Sequence, residues 1–71
     1  MFQINPNKLL LSKWTHRQPV AKRKHFIVVG LNRDEDGMVT SIVLEAVIDK
    51  YQQRLPWRTL RDQQSWLQGW K

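Results

Sequence analysis

Two segments in the middle of the chain show the clearest alternation of apolar and polar residues. They are HFIVVGLN at residues 25–32 and MVTSIVLEAVID at residues 38–49. Because successive side chains of a strand point to opposite faces, this alternation predicts two β-strands. In the second strand Glu45 marks the wetter face, so we expect the other face to point into the core. That face carries Thr40, Ile42, Leu44, Ala46 and Ile48.

The polar stretch between these strands predicts a hairpin turn. It reads RDEDG, and an Asp-Gly pair between two alternating segments is a strong hairpin signal. The same stretch matches part of a calcium-binding loop, since Asn32, Asp34, Asp36 and Gly37 occupy loop positions 1, 3, 5 and 6. The twelfth position, which should supply a bidentate glutamate, is Val43. We therefore expect a turn that binds no metal.

The segment YQQRLPW at residues 51–57 predicts a third strand. Tyr51, Gln53, Leu55 and Trp57 would share one of its faces. Pro56 has no backbone N–H to donate to a neighbouring strand, so it indicates an edge strand or the end of a strand.

The C-terminal dozen residues predict a short amphipathic helix. Thr59 or Asp62 can cap its N-terminus, and Gly69 stands where a C-terminal capping glycine belongs. We expect one stripe of this helix to pack on the sheet, which would place both tail tryptophans in the core. That stripe holds Leu60, Trp66, Leu67 and, if the helix continues, Trp70.

The N-terminal segment is compatible with two structures. Asn5 and Pro6 form a helix-start signal, and one turn there would place Leu10 and Trp14 on the same face. A short extended segment over residues 9–16 is the alternative. The window is too short for periodicity to separate the two.

These elements together predict one α+β domain over residues 1–71. It consists of an antiparallel meander of three to four strands with a short C-terminal helix packed on it. A partly closed SH3-like barrel is the alternative, because short strands of a meander can curl. A chain of 71 residues without cysteine has no disulfide to support a small core. Four tryptophans supply apolar bulk instead, and Trp14, beside three leucines, is expected in the core.

The charge of the chain is strongly asymmetric. The formal net charge is +6, and residues 1–33 hold seven Lys and Arg residues and no acid. Residues 34–71 hold five basic and six acidic residues. The whole excess of positive charge therefore belongs to the N-terminal half, and such asymmetry favours a polyanionic partner, most commonly nucleic acid.

Most of these basic residues lie within the segment RQPVAKRKH at residues 17–25 or shortly before it. We expect this segment to be an exposed loop, because Pro19 disfavours a helical conformation at the residue before it. Lysine and arginine neutralise phosphates, and an exposed indole can stack on an unpaired base. The alternative is a solvated loop without a ligand. The candidate nucleic-acid-binding residues are Lys13, Arg17, Lys22, Arg23, Lys24 and His25.

Enzymatic activity is not expected. His16 and His25 have no cysteine to activate, and three glycines in the chain form no phosphate-binding loop. Glu45 and Asp49 on one strand would stand about 13 Å apart, which exceeds the usual separation of a glycosidase pair. We expect no catalytic residue, cofactor or metal. Since no apolar run approaches the roughly 18 residues of a membrane span, we expect a cytoplasmic protein that does not engage a membrane.

Several short motifs carry a family resemblance. The pieces NPNKLLLSKWT, QPVAKRKHFIV, LEAV and LPWRTL-RDQQSWLQGW resemble a family of small tryptophan-rich bacterial proteins, a domain of unknown function. The resemblance extends from about Asn5 to Trp70. It implies a bacterial single-domain protein, and it implies no activity, cofactor or site residue.

Two classes of function follow from these patterns. The first is a basic accessory protein that binds nucleic acid, RNA in preference to duplex DNA, because the sequence has no helix-turn-helix or zinc-finger signature. The alternative is a protein-interaction module, which binds an acidic partner through the basic segment or an edge strand through β-augmentation.

Overall fold

The computed structural model describes residues 4–71 and is built almost entirely from antiparallel strands. Two short 3-10 helices accompany them, at Pro6–Lys8 and at Trp57–Arg61. The five strands are β1 (Lys13–Val20), β2 (Arg23–Arg33), β3 (Val39–Ala46), β4 (Gln52–Pro56) and β5 (Trp66–Gln68).

The strands form one sheet in the order β4-β3-β2-β1-β5. The meander of β1 to β4 agrees with the sequence, but the α+β prediction is wrong because residues 4–71 contain no α-helix. Because β5 returns to pair with β1, the sheet has five strands instead of the predicted three to four. Nor does this part of the chain contain a helix long and apolar enough to cross a membrane.

The C-terminal segment becomes a turn and a strand instead of the predicted helix. The Asp62 carboxylate accepts hydrogen bonds from the backbone N–H of Gln64 and from the hydroxyl of Ser65, so it caps a turn. Residues 66–68 then pair with β1, with Trp66 opposite His16. An isolated helix this short is marginal in water, whereas pairing satisfies the edge of β1 and still buries Trp66.

Two β-bulges change which residues of β2 and β3 face the core. Val28 pairs with Leu44 and Gly30 with Val43, so Val29 is an extra residue in β2. In β3 the extra residue is Thr40. The predicted inward face is therefore right for Ile42, Leu44 and Ala46, which are buried. It is wrong for Thr40, and for Ile48, which lies exposed in the following turn.

The core is a single cluster that includes two of the four tryptophans. Trp14 and Trp66 are buried, and the rings of Trp66 and Phe26 meet edge to face with centroids 5.4 Å apart. Trp57 is half-buried and packs against the cluster. The core prediction for Trp14 and Trp66 is confirmed. The other buried members are Leu9, Phe26, Val28, Ile42, Leu44, Ala46 and Leu60.

The N-terminal segment forms the single helical turn that the sequence allowed, and of the alternative extended segment over residues 9–16 only residues 13–16 are in a strand. The Asn5 side chain accepts a hydrogen bond from the Asn7 N–H and caps the single 3-10 turn at Pro6–Lys8. The chain then turns again at Leu10 and Leu11, where Leu11 has a φ of 67°, and enters β1 at Lys13. Leu10 is exposed while Trp14 is buried, so the two residues do not share a packed face.

The basic segment at residues 17–25 is a β-hairpin, so the prediction of a loop is wrong, although residues 17–22 are exposed as expected. Val20 pairs with Arg23, and Ala21 and Lys22 form the turn between them with φ of 55° and 65°. A two-residue turn with positive φ at both positions matches the right-handed twist of the flanking strands. Arg23 and Lys24 are therefore carried on β2, whereas the pairing is irregular between Thr15 and Val20, and there the Arg17 N–H donates to the Ser65 carbonyl at 2.7 Å.

The predicted hairpin turn and edge strand agree with the structure, but Tyr51 and Trp57 of the predicted third strand lie outside β4. The RDEDG segment is a hairpin turn in which Asp34 accepts from the N–H groups of Asp36 and Met38, and Gly37 has a φ of 82°. Pro56 ends β4, which is an edge strand. No group of three or more potential metal ligands occurs within residues 4–71.

Candidate functional site

The C-terminal residues cross the face of β1 and β2 that points away from the core, which we call the outer face. Thr15 and His25 are partners on this face, one position away from the buried pair Trp14 and Phe26. The Thr15 hydroxyl donates to the Gly69 carbonyl at 2.7 Å and accepts from the Lys71 N–H at 2.9 Å. Thr15 is buried beneath this segment, which its hydroxyl holds in place.

Trp70 lies on the outer face with its ring partly open to solvent. Its indole N–H donates to the Phe26 carbonyl at 3.0 Å, and 44% of the residue is exposed. The Lys13 ammonium lies 4.7 Å from the ring centroid, and the His25 ring lies 6.0 Å away at 38°. His25 also hydrogen-bonds the Lys71 carbonyl through Nε2 at 3.0 Å. We call Lys13, His25, Trp70 and Lys71 the Trp70 patch.

The structure brings two of the six predicted binding residues, Lys13 and His25, into this patch. The other four lie along the same hairpin. Arg17 is exposed and donates from Nη1 to the Gln63 carbonyl at 3.3 Å. Lys22 occupies the hairpin turn, and Lys24 lies exposed on β2.

Arg23 makes contacts that distinguish it from the other predicted residues. Its Nε donates to the Asp49 carboxylate at 2.9 Å, and its guanidinium lies 4.0 Å from the centre of the Tyr51 ring. The pKa of Asp49 is lowered, first by the hydrogen bond from the Tyr51 N–H and also by Arg23. Arg23 therefore links the β1–β2 hairpin to the β3–β4 turn, a structural role that competes with binding a phosphate.

A concave region lies on the opposite side of the sheet from the Trp70 patch. It has a volume of about 480 Å³ and opens between β4 and the turn before β5, with Phe26 and Trp66 at its base. His16 borders it, with the ring edge-on to Trp66 at 4.6 Å and Nδ1 accepting from the Gln18 N–H. Phe26 and Trp66 are almost completely buried, so the exposed aromatic surface of this region comes from Tyr51, whose ring carries the Arg23 guanidinium at 4.0 Å.

Sequence reasoning missed Trp70 and Lys71 as members of the site. The helix prediction placed Trp70 on a packed stripe, whereas the observed chain turns at Gly69, whose φ is 88°. Only glycine adopts this conformation without strain, and the turn redirects Trp70 onto the outer face. The sequence signal for this site was the glycine directly before Trp70. A glycine at that position can end a helix or a strand and change the direction in which the next side chain points.

The fold and the patch define a class of protein: a small antiparallel β-domain with indoles in its core and one partly exposed indole among cations. The chain belongs to the family described as Tryptophan-rich protein (DUF2389), whose model matches residues 12–71. This confirms the resemblance seen in the sequence. The family is a domain of unknown function. Neither a curated protein nor a solved structure matches the chain significantly.

Proposed function

We propose that this protein binds single-stranded nucleic acid, RNA in preference to duplex DNA, and that the Trp70 patch is the central contact. An exposed aromatic ring stacks on an unpaired base whatever its identity, and neighbouring cations neutralise the backbone phosphates. The patch offers both features within one small area, since Lys13 and His25 lie against the indole ring.

The observation that supports this proposal most directly is the fixed position of a partly exposed indole. The hydrogen bond from Trp70 to the Phe26 carbonyl sets the ring orientation, and the two hydrogen bonds of Thr15 hold the residues on either side. A ring that is already ordered loses little conformational entropy when a base stacks on it. Trp70 therefore has the properties of a preformed stacking surface.

The arrangement of charge on the hairpin adds support. Arg23 and Asp49 form the single ion pair found within residues 4–71, so the lysines of the hairpin are not neutralised by carboxylates. Lys13, Lys22 and Lys24 are exposed on this hairpin, and Arg17 is exposed between them. A nucleic-acid strand that stacks a base on Trp70 would therefore meet these cations on the β1–β2 hairpin.

The test is a binding titration of a labelled single-stranded oligouridine against the wild type and two variants. We expect Trp70→Ala to weaken binding by about 10-fold or more, since stacking contributes about 1–3 kcal/mol per base. Tyr51→Ala is the matched control, because Tyr51 is similarly exposed but lies outside the patch. A duplex DNA of equal length should bind more weakly. Equal affinity of the wild type and Trp70→Ala for the oligouridine would contradict the proposal.

A protein-interaction module is the second candidate, and one observation favours it. Within residues 4–71 no strand pairs with the outward edge of β4, so this edge can accept an extended peptide by β-augmentation. The proline at its end and its short length limit such pairing. A purified protein that binds neither oligouridine nor duplex DNA, and that captures a protein partner through β4, would favour this candidate.

A further inference from the structure

Two turns lie side by side at one end of the molecule. Consecutive turns of a meander alternate between its ends, so the β1–β2 turn and the β3–β4 turn share an end. The Arg23–Asp49 ion pair connects them, and the Val47 N–H donates to the His25 carbonyl at 2.9 Å. We call the residues 20–24 and 47–51 the hairpin end.

The hairpin end exposes an unusual amount of apolar surface. Of eight large apolar residues that are exposed within residues 4–71, four lie here, including Val20 at 72% and Ile48 at 62%. The other two are Val47 and Tyr51. Single exposed apolar residues need no explanation, but four on two adjacent turns form a patch of the kind that marks an interaction site.

The charge around this apolar surface is positive. Lys22, Lys24 and Lys50 are all exposed at the hairpin end. Its one carboxylate, Asp49, is paired with Arg23. The surface therefore combines aliphatic tips with three lysines whose charge no acidic residue of the hairpin end balances.

This combination favours a lipid surface over the other partners that a basic protein can have. Val20 and Ile48 offer nothing to a phosphate backbone, and lysine is depleted at the core of protein interfaces. Aliphatic side chains surrounded by lysines, with a tyrosine at their margin, suit the boundary between headgroups and acyl chains. Lysine also attracts anionic headgroups.

We propose that the hairpin end docks on an anionic lipid bilayer, with Val20 and Ile48 inserted at the headgroup boundary and Lys22, Lys24 and Lys50 on the anionic headgroups. The sequence predicts no membrane contact because it has no apolar run long enough to span a bilayer, but docking at the headgroup boundary requires no such run. Lys22 and Lys24 are cations that both proposals use, but Val20 and Ile48 lie outside the Trp70 patch, so substituting these two residues tests the lipid contact apart from the proposed nucleic-acid site.

The test is flotation of the full chain with vesicles of phosphatidylglycerol and phosphatidylcholine in equal parts, compared with phosphatidylcholine alone. We expect the wild type to float only with the anionic vesicles. The double variant Val20→Ser, Ile48→Ser should bind them about 10-fold or more weakly, because two apolar side chains no longer enter the bilayer. Replacing all three lysines with glutamine should weaken binding on the order of 100-fold, about fivefold for each lysine.

Met38→Ser is the matched control, because Met38 is as exposed as Ile48 but lies at the opposite end of the meander. It should bind anionic vesicles like the wild type. All variants change exposed residues, and thermal unfolding would verify that each is folded.

Failure of the wild type to float, or equal binding by the wild type and the Val20→Ser, Ile48→Ser variant, would overturn the proposal. Capture of an acidic protein without any vesicle binding would also overturn it.

Different variants test the nucleic-acid proposal and the lipid proposal, so either one can be overturned without the other. Trp70→Ala should float with anionic vesicles like the wild type, and the Val20→Ser, Ile48→Ser variant should bind oligouridine like the wild type. Loss of vesicle binding in Trp70→Ala would place the lipid contact on the outer face instead of the hairpin end, and would overturn the inference.

Discussion

The hydroxyl of Thr15 donates to the backbone carbonyl of Gly69 at 2.7 Å, although 54 positions separate the two residues in the chain. The same oxygen accepts from the Lys71 N–H. One buried hydroxyl in β1 thus satisfies two backbone groups of the segment that carries Trp70. The position of the candidate stacking surface depends on this contact.

Thr15→Val should therefore destabilise the protein by about 1–3 kcal/mol, because it leaves the Gly69 carbonyl and the Lys71 N–H without their partner. Thr15→Ser keeps the hydroxyl and should cost clearly less. Urea denaturation measures both effects. If Thr15→Val and Thr15→Ser were equally stable, the hydroxyl would not hold the C-terminal segment.

Trp66→Ala should cost about 3–5 kcal/mol, which can unfold a domain of this size. The indole is buried against Phe26, and its removal leaves a large cavity. Trp70→Phe is the comparison, because it removes one hydrogen bond from a half-exposed ring and should cost only about 1 kcal/mol. Circular dichroism during thermal unfolding reports both values, and a Trp66→Ala protein that melted like the wild type would show that this indole is not part of the core.

Ala21→Asn should stabilise the β1–β2 hairpin. Ala21 has a φ of 55°, a left-handed conformation that costs an ordinary residue roughly 1–2 kcal/mol and that asparagine tolerates better. We expect a gain of about 0.5–1 kcal/mol in the free energy of unfolding, without a change in net charge. Ala21→Val, which places a β-branched residue at positive φ, should have the opposite effect. A gain from valine, or a loss from asparagine, would be inconsistent with the turn.

Asp49 should contribute to the loss of stability in acid. The hydrogen bond from the Tyr51 N–H and the Arg23 guanidinium lower its pKa in the folded protein below the ordinary value of 3.8. A group with a lowered pKa in the folded state stabilises it above the ordinary pKa, and this contribution is lost as the pH falls through the folded value.

The corresponding experiment compares Asp49→Asn with the wild type from about pH 6 to pH 2. The difference in stability between the two should be constant above about pH 5 and shrink at lower pH. Asp62→Asn is the comparison variant, because the Asp62 carboxylate has no cation among its hydrogen-bond partners. A difference between Asp49→Asn and the wild type that stayed constant down to pH 2 would contradict the lowered pKa.

β2, β3 and β4 could be predicted because each is specified locally, whereas β1 could not, since residues 9–16 allowed two structures and residues 17–20 were predicted as a loop. Alternation over β3, the Asp-Gly turn before it and Pro56 at the end of β4 are properties of short windows. The bulges at Val29 and Thr40 could not be predicted, because an extra residue appears only when two strands are paired. For the same reason the predicted inward face failed at Thr40.

The tail was mispredicted because helical and strand periodicity coincide in so short a segment. Leu60, Trp66 and Leu67 satisfy a helical stripe, yet pairing with β1 decides the structure, and that pairing is non-local. This error carried over to the site, since it assigned Trp70 to the core. The charge-based prediction of Lys13 and His25 did not depend on the tail, and both residues lie beside Trp70.

The most direct test of the account is the affinity for oligouridine as a function of salt, measured for the wild type, Trp70→Ala and Lys13→Gln. Contacts from Lys13, Arg17, Lys22 and Lys24 predict a wild-type slope of log K against log salt near −3, at about −0.7 for each phosphate. Lys13→Gln should flatten this slope by about 0.7. Trp70→Ala should keep the slope and lower the affinity by about 10-fold or more at every salt concentration, because stacking involves no counterion. A Trp70→Ala protein with the affinity of the wild type across the salt series would contradict the central claim.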